Sequence, residues 1–190
     1  MAEIRKATIE DASRIAEILV FSKRKNYRNI FNDDISSFVD LQVYPLVKKY
    51  IDEPELLESY YLYDDKIVKG LVSIEGAEIK ELYVDPFFEG AGIGSELINF
   101  AAKKQGCNEL WVIDKNVRAK DFYKRHGFKM TNEVRNVLGT NIPEVKMKIK
   151  WCGTTMNPKA IASPDYCILI FTATSGRYYC DFKAEDFDIS

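Results

Sequence analysis

The segment from Leu82 to Ser95, LYVDPFFEGAGIGS, constrains the fold of this chain more than any other segment. An apolar strand passes through a proline-containing turn into three alternate glycines, and a helix-patterned segment follows directly. Because glycine has no Cβ, Gly90, Gly92 and Gly94 allow an anion to approach the backbone, and the first N–H groups of the helix add their dipole. The sequence therefore predicts a strand, loop and helix that bind a phosphate-bearing cofactor. A purely structural turn is the alternative.

Length and composition favour a globular protein with one domain, or one domain with an appendage. The chain has 190 residues, of which 46% are hydrophobic, and this is enough for a substantial core. Its 27 basic and 29 acidic residues give a net charge of −2, which argues against a nucleic-acid footprint spread over the whole surface but leaves a local basic patch open. We expect no nucleic-acid partner. The N-terminal segment is too charged for a signal peptide, and the apolar run at 167–171 is too short to span a bilayer. We expect a cytoplasmic protein with no membrane partner.

Cysteine and histidine usage indicates no metal site. The four cysteines show no CxxC spacing, and His126 is the only histidine, so the usual zinc ligand sets are hard to assemble. Reduced thiols are the simplest interpretation, although an even number of cysteines leaves disulfides open. The cysteines are Cys107, Cys152, Cys167 and Cys180.

The N-terminal third is predicted to contain one strand and two helices. A strand at 4–7 leads to Thr8 and Asp11, which have the spacing of a capping box for a helix with Ala12, Ile15, Ala16 and Leu19 on its apolar face. The segment from 22 to 33 is polar, basic and aromatic, and we interpret it as a connector. Apolar residues then recur at helical spacing from 35 to 51, with Pro45 expected to kink or divide this second helix.

The middle of the chain alternates strands with short helices. A hairpin is expected at 60–74 around Asp64, Asp65 and Lys66, and Gly106 and Gly127 are expected to end the two later helices. The alternation of apolar residues and lysines from 145 to 151 is typical of a half-buried strand. The predicted segments are strands at 60–63, 67–74, 78–84, 109–113, from 128 and at 145–151, a helix from the glycine segment to about 106, and a helix at about 117–125.

The last forty residues differ in character and are predicted to form a separate β-rich extension. The segment 156–165 resembles a loop, whereas 166–174 and 178–183 have strand patterns on either side of the Ser175-Gly176 turn signal. We therefore divide the chain into a domain at 1–151 and an extension at 152–190 that contains a β-hairpin. The extension is too apolar for an unpacked linker. We expect it to pack either on the acceptor-side edge of the first domain or on a second subunit in a homodimer. We prefer the first, because the linker after Trp151 is long enough to double back.

A dinucleotide-binding fold is the main rival for the glycine segment. Gly90-Ala91-Gly92 resembles the start of a GxGxxG fingerprint, and Asp114 closes a strand about twenty residues later. Against this, Ser95 occupies the third fingerprint position, and the loop between strand and glycines is longer than a Rossmann turn. A P-loop is excluded because no GK[ST] follows.

Downstream residues favour another family. Asn116, Ala119, Phe122, Tyr123 and the Gly127-Phe128 pair form N-x-x-A-x-x-F-Y-x-x-x-G-F after a strand. Together with LYVDPFFEGAGIG, this resembles the GNAT N-acetyltransferase superfamily over about residues 3–150. The resemblance implies an α/β (α+β) fold, with a mixed, mostly antiparallel central sheet flanked by helices. It also implies an enzyme that uses acetyl-CoA as its cosubstrate.

The resemblance also implies the cofactor-binding residues. In this family the glycine loop and helix N-terminus hold the pyrophosphate of coenzyme A, and the preceding strand contacts the pantetheine arm through its backbone. Asn116 matches a residue that contacts the same arm, although it would also serve as a helix cap. Glu89 departs from the usual Gln or Arg, so we expect it to point outward and to weaken binding. The implied residues are Leu82, Tyr83, Val84, Glu89, Gly90, Ala91, Gly92, Ile93, Gly94, Ser95, Asn116, Ala119 and Phe122.

Tyr123 and Glu78 are the residues that the resemblance assigns to catalysis. Tyr123 matches a family residue near the thioester sulfur, and a core aromatic is its alternative role. Because an unperturbed tyrosine is a weaker acid than a thiol, we expect a hydrogen bond to the developing thiolate rather than full proton transfer. Glu78 matches a position where some members keep a catalytic base, and Glu81 competes with it. A surface carboxylate is the simpler interpretation of each.

The acceptor is poorly specified by sequence. In the family the two N-terminal helices and their connector wall the acceptor site, which points to Tyr27, Arg28 and Phe31, with Asp33 and Asp34 as a possible cation site or helix cap. Small amines, amino sugars, peptide N-termini and protein lysines all remain open as acceptors. A non-catalytic acyl-CoA-binding module and a dinucleotide-binding oxidoreductase remain the alternative functions.

Overall fold

The computed structural model describes residues 2–149 and three strands at 159–163, 166–173 and 176–183. The chain divides after Ile149 into two compact units. Within the described ranges, no helix combines the length and apolar character needed to cross a membrane.

A mixed seven-stranded sheet is the centre of the first unit. Its strand order is β1-β2-β3-β4-β5-β7-β6, and all neighbours are antiparallel except β4 and β5. This arrangement confirms the fold class expected from the sequence. The strands are β1 (Glu3–Lys6), β2 (Tyr60–Asp64), β3 (Val68–Glu75), β4 (Glu78–Val84), β5 (Glu109–Ile113), β6 (Lys129–Asn136) and β7 (Pro143–Lys148).

The parallel pair β4 and β5 separates soon after it begins. Pairing is limited to Glu78 with Glu109 and Ile79 with Leu110. On its other side, β4 faces β3 with one residue skipped, since Glu81 lies opposite Ser73 and Ile79 lies opposite Ile74. Lys80 is therefore the extra residue of a β-bulge, a feature that bends a strand and ends its pairing. Among the residues that the structure describes, the second half of β4 has no strand partner along its edge toward β5.

Helices cover both faces of the sheet and create two hydrophobic cores. α1 (Ala12–Phe31) and α2 (Val43–Asp52) cover one face, whereas α3 (Ile93–Asn99) and α4 (Val117–Arg125) cover the other. Ile15 and Leu19 of α1 and Leu97 of α3 are almost completely buried, and burial of each such side chain stabilises the fold by about 2 kcal/mol. One π-helical turn at 36–40 follows α1, and another at 100–104 extends α3.

The start of α1 matches its sequence signature. One carboxylate oxygen of Asp11 accepts hydrogen bonds from the backbone N–H of Thr8 at 2.9 Å and from its hydroxyl at 3.0 Å. Asp11 also accepts two hydrogen bonds from Arg5 of β1, at 2.8 and 2.9 Å. The capping residue therefore also ties the first strand to the first helix.

The predicted connector from 22 to 33 is wrong, because α1 continues as a helix to Phe31. Several polar residues of this stretch have partners in distant segments of the fold. Arg24 donates to the carbonyl oxygens of Ser37 at 2.9 Å and Leu41 at 2.7 Å, which holds the π-helical turn against α1. Asn32 ends the helix in a left-handed conformation, as a C-terminal cap requires.

The expected division of the second helical segment is found, but not at Pro45. The break lies at Leu41 and Gln42, which have extended backbones. Pro45 lies in the first turn of α2, where its missing N–H has no helical acceptor to lose.

The C-terminal strands form a separate antiparallel sheet. β9 (Tyr166–Ala173) and β10 (Gly176–Lys183) form the expected hairpin. The expected loop is partly wrong, because β8 (Lys159–Ser163) pairs with the other edge of β9. A five-residue strand with two alanines carries little local β signal, and its pairing with β9 makes it a strand.

Candidate functional site

The glycine loop has the backbone geometry that its sequence requires. The carboxylate of Asp85 accepts a hydrogen bond from the Phe87 N–H at 2.8 Å and fixes the turn after β4. Gly90 and Gly92 both have φ of +83°, a conformation that side-chain-bearing residues rarely adopt. Gly92 is the N-cap of α3, so the first N–H groups of that helix face outward without carbonyl partners from a preceding turn.

Gly94 differs from the other two glycines because its φ is not positive. A Cβ at this position would lie 3.4 Å from the ring of Phe122, which belongs to α4. This is an ordinary van der Waals distance, so α4 packs close to the start of α3 without a steric requirement for glycine there.

A cleft of about 420 Å³ opens between the glycine loop, the second half of β4 and α4. Every residue that the resemblance assigned to the cofactor lines it except Ala91. Four further residues line the cleft that the sequence motifs do not single out, namely Asn26, Phe88, Arg118 and Arg125. Arg118, Phe122 and Arg125 are four and three residues apart, so they lie on one face of α4. This spacing alone predicts that both arginines face the cleft together with Phe122. Asn26 could not be assigned from the sequence, because it lies in the segment that is predicted to be a connector and is in fact part of α1.

Asn116 acts as a helix cap. Its side-chain oxygen accepts a hydrogen bond from the Ala119 N–H at 3.1 Å and thereby starts α4. Its side chain also lines the cleft, so the amide NH₂ group is available to a bound molecule. The two roles considered for this residue are compatible.

Tyr123 lies on the cleft wall within an aromatic cluster. Its ring packs edge-on against Phe122 and Phe128, with centroids 5.3 and 6.0 Å away. Burial raises the pKa of Tyr123, and the nearby Tyr27 raises it further. The phenol therefore stays protonated at physiological pH and can donate a hydrogen bond.

Glu81 belongs to a polar cluster between β4 and α1. It accepts hydrogen bonds from Lys23 at 2.7 Å and from the Tyr60 hydroxyl at 2.6 Å. Burial raises the pKa of Tyr60, and the charge of Glu81 raises it further, so that Tyr60 remains a donor. Tyr27 is close enough to Lys23 and Glu81 to interact with them electrostatically.

Glu78 lies away from this cluster, and neither Glu78 nor Glu81 lines the cleft. The carboxylate of Glu78 pairs with Lys80 at 3.0 Å near the start of β4. The bulge at Lys80 places Glu78 and Glu81 on the same face of the strand, with about 10 Å between them along its axis. Its assignment as a catalytic base stays a prediction.

The three acceptor candidates occupy different positions on the last turns of α1. The Tyr27 hydroxyl hydrogen-bonds the Tyr83 hydroxyl at 2.7 Å, and its ring packs edge-on against Phe31. Arg28 is exposed and pairs with Asp34 at 2.8 Å. Asp33 accepts from the Ile35 N–H at 2.9 Å and from the Ser36 hydroxyl at 2.6 Å. Both acidic side chains therefore have local partners.

Glu89 does not point outward as expected. Its side chain is only 20% exposed and pairs with Lys25 of α1 at 2.9 Å and with Arg118 of α4 at 2.7 Å. Burial alone would raise the pKa of Glu89, but the two cationic partners outweigh it and lower the pKa. The sequence gives no sign of this pairing because the three residues come from three separate elements.

A larger depression of about 970 Å³ lies beside the cleft, between α1 and the β2–β3 turn. Arg5 pairs there with Asp11 and Asp64, and Arg14 pairs with Glu17 and Asp85. Most charges in this depression thus neutralise each other.

Among the residues that the structure describes, no cluster of three or more potential metal ligands occurs.

The geometry agrees with what comparison with known proteins finds. The family model described as the acetyltransferase (GNAT) domain matches residues 57–130. An uncharacterized N-acetyltransferase of Methanocaldococcus jannaschii is 31% identical, over 70% of this chain and 75% of that protein. The peptidyl-lysine N-acetyltransferase YjaB of Salmonella typhimurium is 25% identical, over 69% of this chain and 86% of that protein.

A solved structure shares the fold. The PaiA N-acetyltransferase from Thermoplasma acidophilum, crystallised in complex with coenzyme A, superimposes with a TM-score of 0.56. It is 25% identical, and the match covers 78% of this chain and 99% of that one.

Proposed function

Because the chain belongs to the GNAT family of N-acetyltransferases, we propose that it transfers the acetyl group of acetyl-CoA to a primary amine by direct attack on the thioester. The observation that carries this proposal is the cleft, in which a glycine loop, a helix start and the unpaired half of β4 face Tyr123. The amine loses a proton and forms an amide bond, while the carbon–sulfur bond breaks and the thiolate takes up a proton.

Different residues of the cleft contact different parts of the bound acetyl-CoA. Glu89 to Ser95 hold the pyrophosphate, because Gly90 and Gly92 expose backbone and, unlike the N–H of Ser95, the first two N–H groups of α3 have no acceptor among the described residues. Leu82 to Val84 offer backbone hydrogen bonds to the pantetheine arm, since no described strand pairs with this part of β4 on the side of β5. Asn116, Ala119 and Phe122 form the opposite wall. Bound acetyl-CoA supplies an activated acyl group.

Tyr123 is assigned to the leaving group. Its raised pKa disfavours donation of a whole proton, so we assign it a hydrogen bond that stabilises the developing thiolate. The aromatic contacts with Phe122 and Phe128 hold the phenol in place for that contact.

Glu81 is our preferred base, with Glu78 kept as the alternative. Glu81 accepts two hydrogen bonds, and a carboxylate has about four acceptor positions, so it retains capacity for a proton from the amine or from an intervening water. Tyr27 links the Glu81 cluster to the reaction centre, because it is also near Tyr123. Glu78 lies farther from the cleft along β4 and pairs with Lys80.

Tyr27 and Phe31 are the best candidates for contact with the acceptor. They form an aromatic edge beside the Tyr83 hydroxyl, whereas Arg28 is turned toward Asp34. YjaB is named a peptidyl-lysine acetyltransferase, so we include protein lysines among the acceptors, together with small amines. We also propose a cytoplasmic location, supported by four cysteines that lack the spacing of a secreted disulfide framework.

Release of free thiol from acetyl-CoA with a panel of amines tests the proposal. The panel contains diamines, amino sugars, peptides with a blocked N-terminus and one lysine, and peptides with a free N-terminus and no lysine. We expect amine-dependent release with at least one class. Acetyl-CoA binding by calorimetry without any release would instead indicate a non-catalytic binding module, and binding of NADH alone would favour an oxidoreductase.

A further inference from the structure

Glu89, Lys25 and Arg118 form a charged clamp beside the glycine loop. Glu89 and Arg118 line the cleft, whereas Lys25 lines the neighbouring depression. The carboxylate of Glu89 lies between the two cations, 2.9 Å from Lys25 Nζ and 2.7 Å from an Arg118 guanidinium nitrogen. Lys25 comes from α1 and Arg118 from α4, so the clamp connects helices that cover opposite faces of the sheet. The arrangement has a net charge of +1 next to the glycine loop.

The exposure of the three side chains is uneven. Arg118 is 70% exposed and Lys25 is 45% exposed, whereas Glu89 is only 20% exposed. The ammonium group of Lys25 and the guanidinium group of Arg118 are therefore accessible to solvent, whereas the carboxylate of Glu89 is mostly covered. A weakly buried ion pair of this kind contributes little to stability, because solvent screens it. Lys25 and Arg118 can therefore bind another anion without disrupting the packing of the hydrophobic cores.

We propose that Lys25 and Arg118 bind the phosphates of the acyl-CoA substrate and that Glu89 is the residue that positions them. This inference rests on the proposed function and extends it to residues outside the glycine motif. Arg118 lines the same cleft as Gly90, Gly92 and Ser95, which places its guanidinium beside the pyrophosphate position. Hydrogen bonds from a guanidinium to a phosphate are charge-assisted and are stronger than hydrogen bonds between neutral groups.

The clamp also explains why a glutamate is tolerated at position 89. A lone carboxylate beside a pyrophosphate would repel it, but here two cations outnumber the carboxylate. Glu89 holds both side chains near the loop and competes with the phosphates for them. Removal of its charge should therefore strengthen substrate binding, whereas removal of either cation should weaken it.

Steady-state kinetics of four single variants tests the clamp. We expect Arg118→Gln and Lys25→Gln each to raise the KM for acetyl-CoA about five- to tenfold with little change in kcat. Glu89→Gln keeps a side-chain acceptor and should lower that KM by roughly threefold. Lys124→Gln is the matched control, because Lys124 is also on α4 but is exposed and pairs with Asp121. It should leave the KM for acetyl-CoA unchanged.

Truncated thioesters separate phosphate binding from a structural role. S-acetylpantetheine carries no phosphate, so its kcat/KM should be the same in Arg118→Gln, Lys25→Gln and the wild type. Acetyl-dephospho-CoA keeps the pyrophosphate but lacks the 3′-phosphate. It should show the same penalties as acetyl-CoA if the pyrophosphate is the target, and smaller penalties if the 3′-phosphate contributes.

Several results would overturn the clamp. These are an unchanged KM for acetyl-CoA in both cation variants, an equal loss with S-acetylpantetheine, or weaker acetyl-CoA binding in Glu89→Gln. Wild-type protein that neither binds nor turns over acetyl-CoA would refute the proposed function as well. Normal wild-type turnover with unaffected variants would refute only the clamp.

Discussion

Tyr123 lies where a single hydroxyl can be removed without disturbing the packing around it. Tyr123→Phe keeps the ring contacts with Phe122 and Phe128 and removes only the proposed hydrogen bond to sulfur. We expect kcat to fall by tenfold or more, which corresponds to about 1.4 kcal/mol, with an unchanged affinity for acetyl-CoA. Thiol-release kinetics and calorimetry measure the two quantities. Intact turnover would assign Tyr123 to the core alone.

Glu81 and Glu78 provide a matched pair, because both are glutamates of β4 and each pairs with a lysine. If Glu81 is the base, Glu81→Gln should lower kcat/KM by roughly a hundredfold, whereas Glu78→Gln should have little effect. The remaining activity of Glu81→Gln should rise with pH as the amine itself loses its proton.

The unfolding temperature of each glutamate variant is a necessary control. Glu81→Gln leaves Lys23 without its anionic partner, so lost activity counts only if the variant remains folded. The opposite ranking, with Glu78→Gln impaired and Glu81→Gln active, would move the base to the start of β4.

At the scale of elements, Asp11 joins the first strand to the first helix through Arg5 and Thr8. The hydrogen bonds from Arg5 lower the pKa of Asp11 more than burial raises it, so that its folded-state pKa lies below that of the unfolded chain. The stability it contributes is therefore present above the unfolded pKa, near 3.9, and is lost as pH falls through the folded value.

Asp11→Asn should accordingly cost about 2 kcal/mol of unfolding free energy at pH 7. The difference between variant and wild type should shrink below about pH 4, where the unfolded carboxyl becomes protonated. Urea unfolding at several pH values measures it. A difference that does not depend on pH would mean that the side chain acts through shape rather than charge.

Local signals and tertiary contacts explain which elements could be predicted from the sequence. β4, β5 and α4 have the predicted bounds, because periodicity and glycine positions mark them within a few residues. The second half of α1 was missed since its polar residues find their partners in distant segments, as Lys23 does in Glu81.

The candidate site shows the same limit. The motif residues of β4, the glycine loop and α4 could be assigned, whereas the pairing of Glu89 with Lys25 and Arg118 could not. A choice between Glu78 and Glu81 depends on the bulge at Lys80. Strict alternation would place the two side chains on opposite faces, and no local pattern marks the extra residue.

The whole molecule consists of a transferase unit, whose two cores both lie within residues 2–149, and a C-terminal unit with its own three-stranded sheet. A chain of about 150 residues buries roughly 70% of the surface that it exposes when unfolded, which is enough for independent folding. Residues 1–151 should therefore unfold cooperatively on their own and bind acetyl-CoA with the affinity of the full chain. Calorimetry of both proteins checks the affinity, and sedimentation checks their masses. A fragment that is unfolded, or that does not bind acetyl-CoA, would contradict the proposed boundary near residue 151. A full-length dimer that becomes a monomer on truncation would assign subunit association to residues 152–190.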